Sequence, residues 1–167
     1  MRWAPLGLLA LSACQPAQTP PAAAVMTEEE VAEELAAIRI EPGLWERSIE
    51  VLSAEGGSAG TAEELRGQRT VQRDCTTPEQ ARRPDTNFLA AQQQGACSYR
   101  DFLLENGRLR ATSVCTTAEE GEVGIVTEGS YGPRAYDLTS QFEGSAGPGQ
   151  PARVRIRTAG RHVGPCP

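Results

Sequence analysis

One dipeptide constrains this chain more than any other. Asn106-Gly107 lies inside the run 96–115 (ACSYRDFLLENGRLRATSVC), between two strand-like stretches that each carry a cysteine at the far end. Both central residues of a type I′ turn need positive φ, which asparagine tolerates and glycine accepts freely, so Asn-Gly between such stretches specifies a two-residue hairpin. The register follows by counting outward from the turn. Glu105 faces Arg108, Leu104 faces Leu109 and Phe102 faces Ala111, with the apolar pairs on one sheet face and the charged pair on the other. The chain is expected to build an antiparallel β domain around this hairpin.

The flanking stretches fit such a domain. Thr27-Glu28-Glu29-Glu30 is a capping-box pattern, and Val31, Leu35 and Ile38 recur at i, i+4, i+7, which predicts a helix over 27–39 packed on the sheet. Pro42-Gly43 breaks the chain. In Leu44–Leu52, Trp45, Ile49 and Val51 share one face of a strand, and Glu46, Ser48 and Glu50 the other. Ser53–Ala62 reads as a flexible loop, and Gln68–Cys75 as a polar strand near a sheet edge. Thr77-Pro78-Glu79-Gln80 has helix-start chemistry, and Asn87–Gln94 is expected to add another turn. Glu122–Tyr131 and Ala135–Phe142 form a strand pair around Gly132-Pro133. A Gly/Pro loop, Gly144–Pro151, then leads into a last strand, Ala152–Thr158. The expected fold is all-β: a mainly antiparallel sheet, as a curved meander or an open barrel, with a short N-terminal helix.

The N-terminus bears on location. Met1-Arg2 supplies a positive start, and Trp3–Leu11 is an apolar run too short to span a bilayer. Leu11-Ser12-Ala13-Cys14 resembles the bacterial lipoprotein lipobox, in which the leader is cut before a lipidated cysteine. That resemblance implies a signal peptide over 1–13, a lipid anchor on Cys14, a Pro/Ala-rich tether over 14–26 and a domain over 27–167. An ordinary secretory leader, with Cys14 incidental, is the alternative. By analogy with enterobacterial sorting, Gln15 after the cysteine favours the outer membrane. The expected location is the periplasmic face of the envelope, held through the lipid.

With Cys14 set aside, Cys75, Cys97, Cys115 and Cys166 remain, an even number that reads as two disulfides in an exported chain. Three pairings are possible. Cys75–Cys97 with Cys115–Cys166 is favoured, because the first would staple a local excursion and the second would tie the last strand to the hairpin. No C-x-x-C occurs and the single histidine, His162, has no ligand-spaced partner, so no metal site is expected. All 16 basic residues are arginine, yet the formal charge is −6, which argues against nucleic acid as a partner.

The ordered motifs resemble the DUF3617 family of small exported proteobacterial proteins of unknown function. They are Glu41-Pro42-Gly43-Leu44-Trp45-Glu46, then Cys75-x-Thr77-Pro78-Glu79-Gln80-Ala81 and Cys97. Asn106-Gly107-Arg108-Leu109 follows with Ala111-Thr112 and Cys115, then Gly129-x-Tyr131, Tyr136-Asp137-Leu138-Thr139 and Arg161-x-Val163-Gly164-x-Cys166. The resemblance runs from about Thr27 to Cys166. It implies export, frequent lipidation and four core cysteines, and no known activity. The chain departs from the family pattern at Gly132-Pro133-Arg134, where small hydroxyl residues are expected around the proline.

No catalytic constellation stands out, and neither an enzyme nor a cofactor is expected. His162 reads as surface or hydrogen-bonded structure. Asp101 and Asp137 read as solvent-facing, or paired with Arg110 or Arg134. Arg153, Arg155 and Arg157 share one strand face and are a candidate anion-binding row, weighed against a solvated face that resists edge pairing. The chain thus reads as a non-catalytic envelope lipoprotein that binds a small ligand, an envelope polymer or a protein partner. The alternatives are an inhibitor of a wall-degrading enzyme or protease, acting through loop 53–62 or 144–151, and less readily a hydrolase.

Overall fold

The computed structural model describes residues 25–57, 60–82, 96–117, 121–145 and 150–167. The expected leader, Cys14, most of the expected tether and the turn expected at Asn87–Gln94 lie outside them. In chain order the elements are α1 (Glu28–Ala36), β1 (Gly43–Gly56), α2 (Thr61–Leu65), β2 (Arg69–Thr76) and α3 (Pro78–Arg82). They continue with β3 (Ala96–Glu105), β4 (Arg108–Thr117), β5 (Gly121–Tyr131), β6 (Ala135–Ser145) and β7 (Pro151–Gly164). The seven strands form one open antiparallel sheet in the order β2-β1-β7-β6-β5-β4-β3, with β2 and β3 at its margins. The chain meanders from β3 to β7, and β7 returns beside β1 to close the order.

The Asn-Gly turn forms as its chemistry requires, with φ of 51° at Asn106 and 73° at Gly107. Glu105, Leu104 and Phe102 oppose Arg108, Leu109 and Ala111. Further along, Arg100 is an extra residue: the register slips between Tyr99 and Asp101, a bulge that moves every earlier β3 residue by one. If Arg100 took its place in an unbroken ladder, Cys97 would face Thr116, on the opposite side of the sheet from Cys115. Because Arg100 bulges out, Cys97 and Cys115 are direct cross-strand neighbours and are bonded, with Cα atoms 4.0 Å apart.

The second disulfide joins Cys75 to Cys166, with Cα atoms 5.6 Å apart. Leu44 pairs with Cys75 on one side and Gly164 on the other, so the end of β2 and the end of the chain flank the start of β1. The four cysteines are therefore all bonded, but the expected pairing of Cys75 with Cys97 and Cys115 with Cys166 is incorrect. Proximity in sequence pointed to Cys97 as the partner of Cys75. The strand order instead sends β2 and β3 to opposite margins.

Two further expectations are corrected. The segment 53–62 is not simply a loop: β1 runs on to Gly56, because a bulge between Val51 and Ser53 lets Ser53–Gly56 keep pairing with Ala152–Arg155, and α2 begins at Thr61. The last strand runs past Thr158 to Gly164, because β1 and β6 both continue beside it.

One face of the sheet carries the core. Capped as expected, with the Glu30 amide donating to Thr27 Oγ1 (3.3 Å) and Glu30 Oε2 accepting from the Thr27 amide (2.7 Å), α1 presents Val31 and Leu35. They pack against Trp45, Tyr99, Leu109, Ala111, Tyr131, Tyr136 and Leu138. Trp45 and Tyr136 stack at 6.1 Å between ring centroids. A second cluster joins Cys115, Val123, Ile125 and Phe142, and Thr127 and Ser140 satisfy each other across it at 2.8 Å. Burying each large side chain contributes about 1.5–3 kcal/mol. This face is closed by packing; the chemistry-bearing side chains lie on the other.

Candidate functional site

The outer face carries a regular array over β2, β1 and β7. Glu46 pairs laterally with Arg73 and Arg161, Ser48 with Val71 and Ala159, and Glu50 with Arg69 and Arg157. Alternation along each strand brings these nine residues to one face as three rows about 7 Å apart, on strands about 4.8 Å apart. The outer rows read Arg-Glu-Arg and the middle row is uncharged and short. A trough results, crossing the strands: a recess of about 440 Å³ lined by Glu46, Ser48, Arg69, Val71, Ala159, Gly160 and Arg161.

The two charged walls differ. In the first, Arg73 donates from Nε and Nη2 to Glu46 Oε2 at 2.9 and 2.6 Å. Arg161 does the same to Oε1 at 3.0 and 2.6 Å. These bonds to Arg73, and next to Arg161, hold the Glu46 carboxyl below its ordinary range. Both of its oxygens are occupied, so this wall presents guanidinium edges. In the second wall Arg157 turns toward β6 and holds Asp137 through Nε (2.8 Å) and Nη2. The pairing lowers the Asp137 pKa and raises that of Arg157. Arg69 has no ion-pair partner among the described residues. On the floor, Ser48 Oγ has no hydrogen-bond partner among them, and Val71 is 53% exposed. Surface ion pairs of this kind add little to stability.

The sequence pointed to a different row. Arg153, Arg155 and Arg157 do share the outer face, but Arg153 is held by Glu143 at 2.9 Å and Arg157 by Asp137. Arg155 alone has no acidic partner among the described residues, so the three do not act as one anion clamp. Arg157 instead stands in the charged row beside the trough, turned toward β6. What hid the trough is that its rows run across strands: Arg69 and Arg161 are far apart in sequence, and only the strand order brings them to one recess. The alternation of Glu46, Ser48 and Glu50 was the legible part.

The other candidate residues are structural. His162 is mostly buried, its Nε2 lying 3.1 Å from the Pro42 carbonyl and its ring edge-on to Trp45 at 5.9 Å. Trp45 Nε1 donates to the Glu41 carbonyl at 2.9 Å. The carbonyls of Pro133 and Arg134 accept from the amides of Glu41 and His162, so that turn docks through backbone. Asp137 pairs with Arg157 rather than Arg134, which lies 3.5 Å from Glu41, while Arg110 pairs with Glu128 at 3.3 Å. Asp101 is exposed. Among the described residues no cluster of three potential metal ligands occurs, and no helix is long and apolar enough to cross a membrane.

An open seven-stranded antiparallel sheet, backed by one capped helix and held by two disulfides, defines a small disulfide-stabilised β protein. The chain belongs to the family described as protein of unknown function (DUF3617), whose model matches residues 40–166, more than half of its length. Comparison with curated proteins gives no match. Comparison with solved structures gives none either.

Proposed function

We propose that this protein is a non-catalytic, membrane-anchored binding protein of the cell envelope, which holds a small ligand, an envelope polymer or a partner in the β2–β1–β7 trough. The observation that carries the reading is the trough itself. It is of ligand size, framed by guanidinium groups already held in place, and floored by an exposed valine and a serine hydroxyl. Support for an exported setting comes from the two disulfides, which persist in oxidising compartments. The lipobox-like run ending at Cys14 supports the anchor, which would leave the domain beyond Met26 facing the periplasm.

Two measurements on the full chain, expressed in a bacterium with its own N-terminus, test this. Metabolic labelling with a clickable fatty acid is expected to mark the wild type and not Cys14→Ser. Native mass spectrometry after gentle purification is expected to show an added mass that leaves on denaturation. A label retained in Cys14→Ser removes the anchor, and a bare protein removes the ligand.

A second reading has one observation in its favour. The described ends of both segments considered for inhibition meet at one end of the sheet, where the Gly57 amide reaches the Pro151 carbonyl and Ser145 pairs with Pro151. Two adjacent surface segments are the format of an enzyme inhibitor. Inhibition of any member of a panel of lysozymes and proteases would favour it over ligand binding, and silence across the panel would end it.

A further inference from the structure

We infer that the trough takes a small monoanionic oxyacid group, a carboxylate or a phosphodiester, carried on a short, partly apolar body. The inference rests on the binding reading above and adds the chemistry of the ligand. The charge count comes first. Around the trough stand Arg69, Arg73, Arg157 and Arg161 against Glu46, Glu50 and Asp137, which leaves one positive charge in excess.

The positions of the free donors are more specific. Glu46 has both oxygens engaged by Arg73 and Arg161, so it does not compete for a donor or repel an anion strongly. Among the described residues, Arg161 keeps Nη1 uncommitted and Arg69 keeps its whole guanidinium. These two lie at opposite corners of the recess, and between them the Ser48 hydroxyl rises from the floor with a proton to donate. An oxyanion seated over Ser48 would therefore meet charge-assisted donors from two sides and a neutral donor from below. Val71 and Ala159 flank the same point and offer apolar contact to whatever carries the anion.

Size limits the ligand. The floor spans three strands, about 10 Å, and the charged rows on either side leave room for one oxyanion and a short body. Among the described residues, a cation would find the one uncommitted carboxylate around the trough at Glu50, between Arg69 and Arg157.

The test is titration of the purified full chain, in detergent, with three probes followed by the amide resonances of Ser48, Val71, Ala159 and Gly160. Dimethyl phosphate stands for the phosphodiester, N-acetylalanine for the carboxylate, and N-acetylalaninamide is the neutral isostere. At least one anion is expected to give saturable shifts, weakened about tenfold in Arg69→Ala, as for loss of one charged hydrogen-bond donor. Arg69→Lys is expected to recover part of the loss. Arg69 is exposed, so both variants should keep the wild-type fold, and the remaining resonances check this. Whichever anion binds tighter assigns the source of the group. Silence from both anions, equal binding of the neutral amide, or unchanged binding in Arg69→Ala overturns the inference. If the anions are silent while native mass spectrometry still shows a bound mass lost on blocking the trough, the binding reading stands and only the ligand chemistry is wrong. If that mass is also absent, both fall.

Discussion

Gly43 and His162 are fitted to each other so closely that no room is left for a β-carbon at position 43. A β-carbon on Gly43 would collide with His162 Nε2 and lie 2.5 Å from the Gly164 carbonyl, and the backbone there has φ of 138°, open in practice to glycine. This explains the Pro42-Gly43 break as a docking joint between the start of β1 and the end of β7. Gly43→Ala is expected to destabilise the domain by about 2–4 kcal/mol, combining overpacking and backbone strain. Gly67→Ala, at φ of 78° with nothing within 4 Å, should cost about 1 kcal/mol. Adding His162→Ala should rescue Gly43→Ala only in part, since the clash with the Gly164 carbonyl remains. Urea denaturation of the set checks the order, and equal losses at Gly43 and Gly67 would remove the steric argument.

The bulge at Arg100 makes a sharper prediction about the disulfides. Deleting Arg100 should remove the bulge yet leave Cys97 opposite Cys115, so that bond should still form, whereas one alanine inserted after Ser98 should move Cys97 opposite Thr116, turn it to the outer face and leave two free thiols by thiol titration. Wild type should give none from these four cysteines. Digestion without reductant should release linked peptides containing Cys75 with Cys166 and Cys97 with Cys115. Replacing the 97–115 pair by serine should cost about 3 kcal/mol, and the 75–166 pair about 4.5 kcal/mol, on the loop-entropy scale.

All three tyrosines of the chain, Tyr99, Tyr131 and Tyr136, have their phenols pushed up by burial, that of Tyr99 to about 12. Each is neutral in the fold, so the stability they add is full below the ordinary phenol pKa near 10 and is lost as pH rises through the folded value. Phenolate absorbance should show no step near pH 10. It should instead rise in one cooperative transition together with loss of the far-UV β signal. An early, separate step would mean that at least one ring is open to water.

On the acid side, Glu46 is lowered by Arg73 and Arg161, and Asp137 by Arg157. A depressed carboxyl stabilises above its unfolded pKa, near 4, and loses that contribution as pH falls through the folded value. Carboxyl-detected NMR should find both groups still ionised near pH 4, where an unperturbed carboxyl is half protonated. Glu46→Gln should flatten the acid limb of the stability curve. It should also leave Arg73 and Arg161 more mobile. An ordinary titration of Glu46 would show that the Arg-Glu-Arg wall is not formed in solution.

The periodicities carried the fold a long way. Period-two alternation placed Trp45 inward and Glu46 outward, the Asn-Gly turn set three pairs of the central hairpin, and Thr27 and Thr77 marked helix starts that formed. Those signals are local, set by neighbours within a few residues. The disulfide pairing and the trough were not legible for one common reason. Each depends on which distant strands lie side by side, and β7 between β1 and β6 is a property of the whole sheet. The Arg100 bulge was also hidden, since Tyr99-Arg100-Asp101 alternates acceptably in either register. Arg153, Arg155 and Arg157 drew attention because they adjoin in sequence, whereas their charges are mostly spent on carboxylates from β6.

The two covalent bonds form nested rings: the ring closed by Cys97 and Cys115 lies wholly inside the ring closed by Cys75 and Cys166. The inner bond needs only one hairpin and can be made as soon as that hairpin exists. The outer bond needs β2, β1 and β7 in their final places. Oxidation of this protein therefore has a built-in order, in which the second bond can be made correctly only once these three strands lie side by side, so that its presence certifies an assembled sheet margin.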